Sequence, residues 1–181
     1  ILEDDPYRDV RYSGEELPAI RSFDKTGNTI MACSFSKIFA PGSRLGYAVA
    51  DEDIIYALRD VKIATNSQPP GISEVLTAEF FHRGYYDENM KKMCATYKAG
   101  RDAMMETMDK FFPKGFKRTT PDGGYYVWVE FPKNVDAAAV KDRAEKEYKF
   151  SFLAGGDWYP NSKAEDHANM ARFNFTTQPV E

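Results

Sequence analysis

The chain has 181 residues, 43% of them apolar, with a net charge of −4. That is enough apolar material for a packed core, which argues against disorder. The acidic balance gives no reason to expect nucleic acid or an anionic membrane surface as a partner.

Ile1-Leu2-Glu3-Asp4 reads as the end of a buried strand, followed by a turn at Pro6. Residues 8–28 carry turn signals at Ser13-Gly14, Pro18 and Gly27-Asn28. Thr29 to Phe35 and Leu45 to Ala50 read as two further buried strands, and such apolar strands with long connections suit an α/β sheet. Asp51-Glu52-Asp53 offers an acidic, capped helix start, with Ile54, Leu58 and Val61 on one face of that helix. A break follows around Pro69-Pro70. A second helix is expected from about Ser73 to Arg83, and a third, the longest, from about Asp87 to Phe112. Met90, Met93, Cys94, Tyr97, Met104, Met108 and Phe111 recur on the third helix at mostly helical spacing and read as core.

The pattern then changes. Tyr125 to Phe131 alternates as a strand after the Asp122-Gly123-Gly124 turn. A short helix is expected over about Asp136 to Tyr148, with Ala137, Val140 and Ala144 inward. A loop with Ala154-Gly155-Gly156 precedes a last strand near Met170 to Phe175. The expected division is residues 1–86, part of an α/β sheet domain, and residues 87–181, a long helix leading into a small α+β domain. Both ends read as cut: the chain opens on Ile1-Leu2 without Met, and Thr176-Thr177-Gln178-Pro179-Val180-Glu181 reads as a helix start with no helix after it.

Cys33 and Cys94 make no disulfide framework and read as buried thiols in a reducing compartment. With His82 and His167 as the sole histidines and no CxxC, a metal site has little support. No apolar run is long enough to span a membrane, and no signal-peptide pattern is present, so the cytoplasm is the default location.

Lys37 follows a strand and the polar run Ser34-Phe35-Ser36, where α/β sheets bind ligands outside the carboxyl ends of strands. Taken alone it reads as an exposed lysine at a strand end. Its neighbours reverse that reading. Ser34, Ser36 and Arg44 make a phosphate cradle, because hydroxyls donate to phosphate oxygens and a guanidinium binds two of them at once. No GxxxxGK[ST] or GxGxxG pattern supports a nucleotide there. Asp4 and Tyr7, in Asp4-Asp5-Pro6-Tyr7, sit at another strand end. A carboxylate there suits a protonated pyridine nitrogen, and a phenol suits a ring oxygen.

The combination Glu3-Asp4-Asp5-Pro6-Tyr7 with Ser34-Phe35-Ser36-Lys37-Ile38-Phe39-Ala40-Pro41-Gly42-Ser43-Arg44-Leu45-Gly46-Tyr47 resembles the class I/II aminotransferases of pyridoxal-phosphate (PLP) fold type I. It is most similar to the branch with aminoadipate, kynurenine and aromatic aminotransferases. Pro121-Asp122-Gly123-Gly124-Tyr125-Tyr126-Val127-Trp128 and Ala171-Arg172-Phe173-Asn174-Phe175 resemble two further strands of that family, so the likeness covers essentially the whole chain.

The resemblance implies a C-terminal piece of a fold-type-I large domain, with a mainly parallel sheet and helices, followed by the small α+β domain. It implies pyridoxal 5'-phosphate as cofactor, held as a Schiff base on Lys37, which later moves the proton between the substrate α-carbon and the cofactor. Asp4 would pair with the ring nitrogen and Tyr7 with the phenolic oxygen, while Ser34, Ser36 and Arg44 would hold the phosphate. Arg172 would grip the substrate α-carboxylate. The substrates would be an amino acid and a 2-oxo acid, and the full-length protein a homodimer, with no nucleic-acid or membrane partner.

Two positions depart from the family: Cys33 stands where Gly is usual, and Leu153-Ala154-Gly155-Gly156-Asp157-Trp158-Tyr159 lacks a usual Pro near the substrate entrance. The family's N-terminal half has no counterpart here, so the isolated stretch is expected to bind PLP poorly and not to transaminate. Two alternatives stand beside the aminotransferase. One is a fold-type-I lyase or decarboxylase using the same lysine. The other is the PLP-sensing domain of a GntR/MocR-type transcription regulator, which resembles Asp-Asp-Tyr where this chain has Asp-Asp-Pro-Tyr.

Overall fold

In the computed structural model, which describes residues 1–177, the chain divides into two compact units within one long helix. The first runs from Ile1 to Cys94 and the second begins at Ala95. The proposed helix start at Thr176 to Glu181 falls largely outside the described residues.

The first unit holds a three-stranded sheet in the order β1 (Leu2–Asp4), β2 (Ile30–Ser34), β3 (Gly46–Val49). β1 and β2 are parallel, with Asp4 opposite Ala32; β3 runs antiparallel, with Gly46 opposite Ser34. Three helices follow: α1 (Glu52–Thr65), α2 (Gly71–His82) and the first part of α3 (Tyr85–Phe111). The β1–β2 connection is tied down by Glu3. Its buried carboxylate accepts the backbone N–H groups of Ile20 (2.7 Å) and Arg21 (3.0 Å) and so holds a short 3₁₀ turn. Those amides hold the Glu3 carboxyl below its usual range. Arg21 extends the lock to the Thr29 carbonyl and to Asp51 just before α1.

Three expectations need correcting here. The strands are α/β strands, but none is deeply buried: Leu2 is 70% exposed and every residue of β3 is exposed. Leu58 and Val61 of α1 are exposed as well. In α2 the buried residues are Ser73 and Thr77, while Ile72, Val75 and Leu76 face outward. Apolar composition marks surface that benefits from burial, but not what covers it. Among the described residues, nothing covers these faces fully. Cys33 and Cys94, expected buried, are half-buried free thiols.

The second unit holds a four-stranded antiparallel sheet in the order β4 (Lys117–Arg118), β5 (Tyr126–Glu130), β7 (Met170–Asn174), β6 (Leu153–Ala154). Alternation in β5 and β7 buries Val127, Val129, Ala171 and Phe173 on one face. That face packs with Met108 of α3, with Phe131 and Phe152, and with Ala137 of α4 (Ala137–Tyr148), whose N-terminus Asp136 caps. Phe173 is the hub, with ring centroids 4.6 Å from Phe152 and 5.8 Å from Phe112.

Helical spacing misleads at two points of this unit. Phe111, the last residue of α3, is exposed, and Val140 of α4 is also exposed. Arg101 of α3, a charged residue, is by contrast buried. Its guanidinium donates to the Pro121 carbonyl (2.7 Å) and pairs with Asp102.

Candidate active site

Strand direction gathers the first group of candidate residues. Parallel β1 and β2 end at one edge of the sheet, and antiparallel β3 starts there. Asp4 closes β1, Ser34 closes β2, and Arg44 stands two residues before β3. The Asp5 amide donates to Ala32 O (2.9 Å), carrying the pairing one residue past β1 before Pro6 turns the chain. Val10 N donating to Tyr7 O (2.9 Å) closes that turn, and the Tyr7 ring lies 5.6 Å from Lys37 Nζ. Asp4, Tyr7, Ser34, Ser36, Lys37 and Arg44 are thus brought to one edge.

Ser34 caps the 3₁₀ turn Phe35–Lys37: its Oγ accepts from Ser36 N (3.2 Å) and donates to Ser36 Oγ (2.9 Å). The two hydroxyls therefore form one cluster, one residue from Lys37. Arg44 ends the 3₁₀ turn Pro41–Ser43 with φ 49° and ψ 39°, in the left-handed region. For a non-glycine residue that conformation costs about 1–2 kcal/mol, and such strain collects where a side chain must be aimed. Hydroxyls and a guanidinium on neighbouring turns are donors suited to a phosphate.

The lysine loop is braced from below. Phe35 and Phe39 flank Lys37, and their rings meet Phe81 (5.6 Å) and Phe80 (4.8 Å) at the end of α2. Asn89 of α3 donates to the Ile38 carbonyl (3.2 Å), and Ile38 is buried. Each aromatic pair adds about 0.5–1.5 kcal/mol beyond its burial. Lys37 is half-buried above this platform. On β3, the Tyr47 phenol is pushed up to about 12 by the Cys33 thiol and partial burial.

Arg172 lies in the second unit, on β7, opposite Trp128 of β5 and Leu153 of β6. It shares the sheet face of Tyr126 and Trp128, away from the apolar core. Its guanidinium carbon is 4.0 Å from the Tyr126 ring centroid and 3.9 Å from that of Trp158. Its Nε is buried without a hydrogen-bond partner. Among the described residues no carboxylate pairs with it.

Sequence reasoning found Arg172 but missed Tyr126 and Trp158. The alternation of β5 places Tyr126 with Trp128, and this was a readable signal. The antiparallel register that sets both beside Arg172 was not. Among the described residues no cluster of His, Cys, Asp and Glu forms a metal site, and no helix is long and apolar enough to cross a membrane.

Comparison with known proteins places the chain in a family. The family model for aminotransferase class I and II matches residues 1–151. Aromatic-amino-acid aminotransferase 1 of Thermococcus litoralis is 34% identical over 181 residues, which is 100% of this chain and 42% of its own. The HTH-type transcriptional regulator NorG of Staphylococcus aureus is 35% identical over 136 residues, 75% of this chain and 30% of its own. The crystal structure of Pyrococcus horikoshii kynurenine aminotransferase, in complex with PMP, superposes with a TM-score of 0.88 at 35% identity, covering 97% of this chain and 42% of that one. The chain spans less than half the length of these relatives. By sequence and by fold, it belongs to the class I and II aminotransferases.

Proposed function

We propose that the protein carrying this chain is a PLP-dependent aminotransferase, and that this chain supplies its lysine, its phosphate donors and its carboxylate-binding arginine. One observation carries the reading. The parallel pairing of β1 with β2 and the antiparallel return of β3 set a carboxylate, a phenol, two hydroxyls, an amine and a guanidinium at a single sheet edge. That donor set fits the cofactor: Ser34, Ser36 and Arg44 suit its phosphate, Asp4 its ring nitrogen, Tyr7 its ring oxygen, and Lys37 its aldehyde carbon. When bound, PLP supplies an electron sink for the substrate α-carbon.

The chain's own residues do the rest. Ser34, Ser36 and Arg44 would hold the phosphate, so that binding energy is spent on orientation. Lys37 Nζ takes the proton from the substrate α-carbon. Its short tether to the Ser36 turn and the bracing by Phe35 and Phe39 limit the arc it can sweep. Arg172 binds the α-carboxylate through two parallel N–H donors. Retention of the carboxylate argues against decarboxylation. In domain terms, residues 1–86 belong to the cofactor-binding domain and 87–181 to the helix and small domain. The full-length protein is a cytoplasmic homodimer using an amino acid and a 2-oxo acid.

The likeness to NorG favours a second reading, a PLP-sensing domain joined to a DNA-binding one. The Pro6 turn between Asp5 and Tyr7 weighs against it. The test is amino transfer by the full-length protein, with aromatic amino acids or 2-aminoadipate as donors and 2-oxoglutarate as acceptor. Glutamate formation that Lys37→Ala abolishes is the expected result. PLP binding without transfer from any donor would replace this reading with the regulator.

A further inference from the structure

We infer that Trp158 is a positioning residue: together with Tyr126 it clamps the Arg172 guanidinium on both faces and fixes the plane in which that arginine accepts a carboxylate. The inference rests on the reading of Arg172 as the substrate's carboxylate ligand.

A guanidinium is planar, and its N–H donors all lie in the plane. Two ring centroids lie 4.0 and 3.9 Å from its central carbon, close enough for both rings to pack on the guanidinium and leave its in-plane donors for an anion. With Nε buried and unpartnered, the terminal nitrogens remain as the fork for an anion. An arginine beside an aspartate or glutamate would be held by that carboxylate and would have to break the pair to bind substrate. Arg172 has aromatic faces in that place. They attract the cation and hold its orientation without competing for its donors.

The two rings reach Arg172 differently. Tyr126 comes from β5, two residues before Trp128, and so stands on the same sheet face. Trp158 comes from outside the sheet, on the 3₁₀ turn Gly156–Trp158. That turn is laid onto Trp128, whose ring lies 6.1 Å from Trp158 and 6.2 Å from Tyr159; Tyr159 in turn stacks on His167 at 3.6 Å. Gly155 permits the approach. A Cβ there would meet the Trp128 ring and Met170 Cβ, each at 2.8 Å. The segment from Gly155 to His167 therefore serves to deliver one ring to Arg172.

The test compares Trp158→Ala, Trp158→Phe and Arg172→Ala in the full-length protein, each checked for an unchanged melting temperature. The readouts are the Kd of the unreactive carboxylate 3-phenylpropionate and the split of KM from kcat for amino transfer. Loss of one cation–π face is expected to raise Kd and KM roughly three- to tenfold in Trp158→Ala with kcat little changed. Trp158→Phe, which keeps a face, should return to within about twofold of the parent. If Arg172→Ala loses carboxylate binding while Trp158→Ala binds like the parent, the clamp is wrong and the role of Arg172 stands. If Phe fails to rescue, the effect of Trp158 is merely structural and the clamp is again wrong. If Arg172→Ala binds the carboxylate like the parent, the assignment of Arg172 fails and the clamp fails with it.

Discussion

Gly100 lies in the middle of α3 and is buried. Helix propensity says that alanine there should stabilise, by about 1 kcal/mol. The structure says the opposite. A Cβ on Gly100 would press into the backbone carbonyl oxygen of Phe175, closer than any ordinary van der Waals contact. That oxygen is main chain just past β7, and no rotamer change can move it aside. Either α3 shifts outward or the end of β7 does, and overpacking of this kind costs about 1–3 kcal/mol. Because the obstacle is backbone, the upper half of that range applies. Subtracting the helical gain leaves a net loss of about 1–2 kcal/mol. For a chain of roughly this size that corresponds to a fall in melting temperature of about 2–8 °C. Thermal unfolding of Gly100→Ala, followed by far-ultraviolet circular dichroism, measures it. A melting temperature above that of the parent would refute the argument and show that the Gly100–Phe175 approach is not tight.

Three further outcomes are expected. In the full-length protein, Arg44→Ala should weaken PLP binding roughly 10- to 100-fold and Ser36→Ala roughly 2- to 10-fold, in proportion to a charged and a neutral hydrogen bond; titration of the cofactor absorbance reads both. The Tyr47 phenol, held neutral by Cys33 and by partial burial, should ionise near 12 in the folded chain. Because its folded value lies above the ordinary one of about 10, its contribution to stability is complete below that pH and is lost as pH rises through the folded value. The difference in phenolate absorbance between the parent and Tyr47→Phe locates the step, and a step near 10 would contradict the assignment. The 181-residue chain by itself, incubated with PLP, an amino acid and 2-oxoglutarate, should show no measurable transfer, since Asp4 and Arg44 are exposed at an open sheet edge; turnover would show that the chain holds a complete site.

Much of this was legible in the sequence, because the signals were local. The long helix was expected from Asp87 to Phe112 and runs Tyr85–Phe111, since apolar spacing over that length has one consistent solution. The strands around Val127 and Phe173 announced themselves by alternation. Lys37 stands out as a candidate only through its neighbours, as Ser34, Ser36 and Arg44 share its short stretch of chain. What the sequence hid depends on partners far along the chain. β4 and β6 have two residues each and exist only because β5 and β7 offer edges to pair with. Arg101 is buried because a carbonyl twenty residues away accepts its hydrogen bond. Trp158 was noted as part of a loop, but its place on Arg172 follows from a turn that no periodicity encodes. The apolar face of α1 was legible as apolar, but not how much of it is covered. Composition measures the tendency of a face to leave water, whereas cover is a property of whatever packs against it.

Lys37 is proposed as the cofactor's covalent anchor. Reduction of the full-length protein with borohydride in the presence of PLP, followed by peptide mass mapping, tests it most directly. A phosphopyridoxyl mass increment is expected on the peptide carrying Lys37, and none at that position in Lys37→Ala. A parent protein labelled on other lysines, with the Lys37 peptide unmodified, would contradict it.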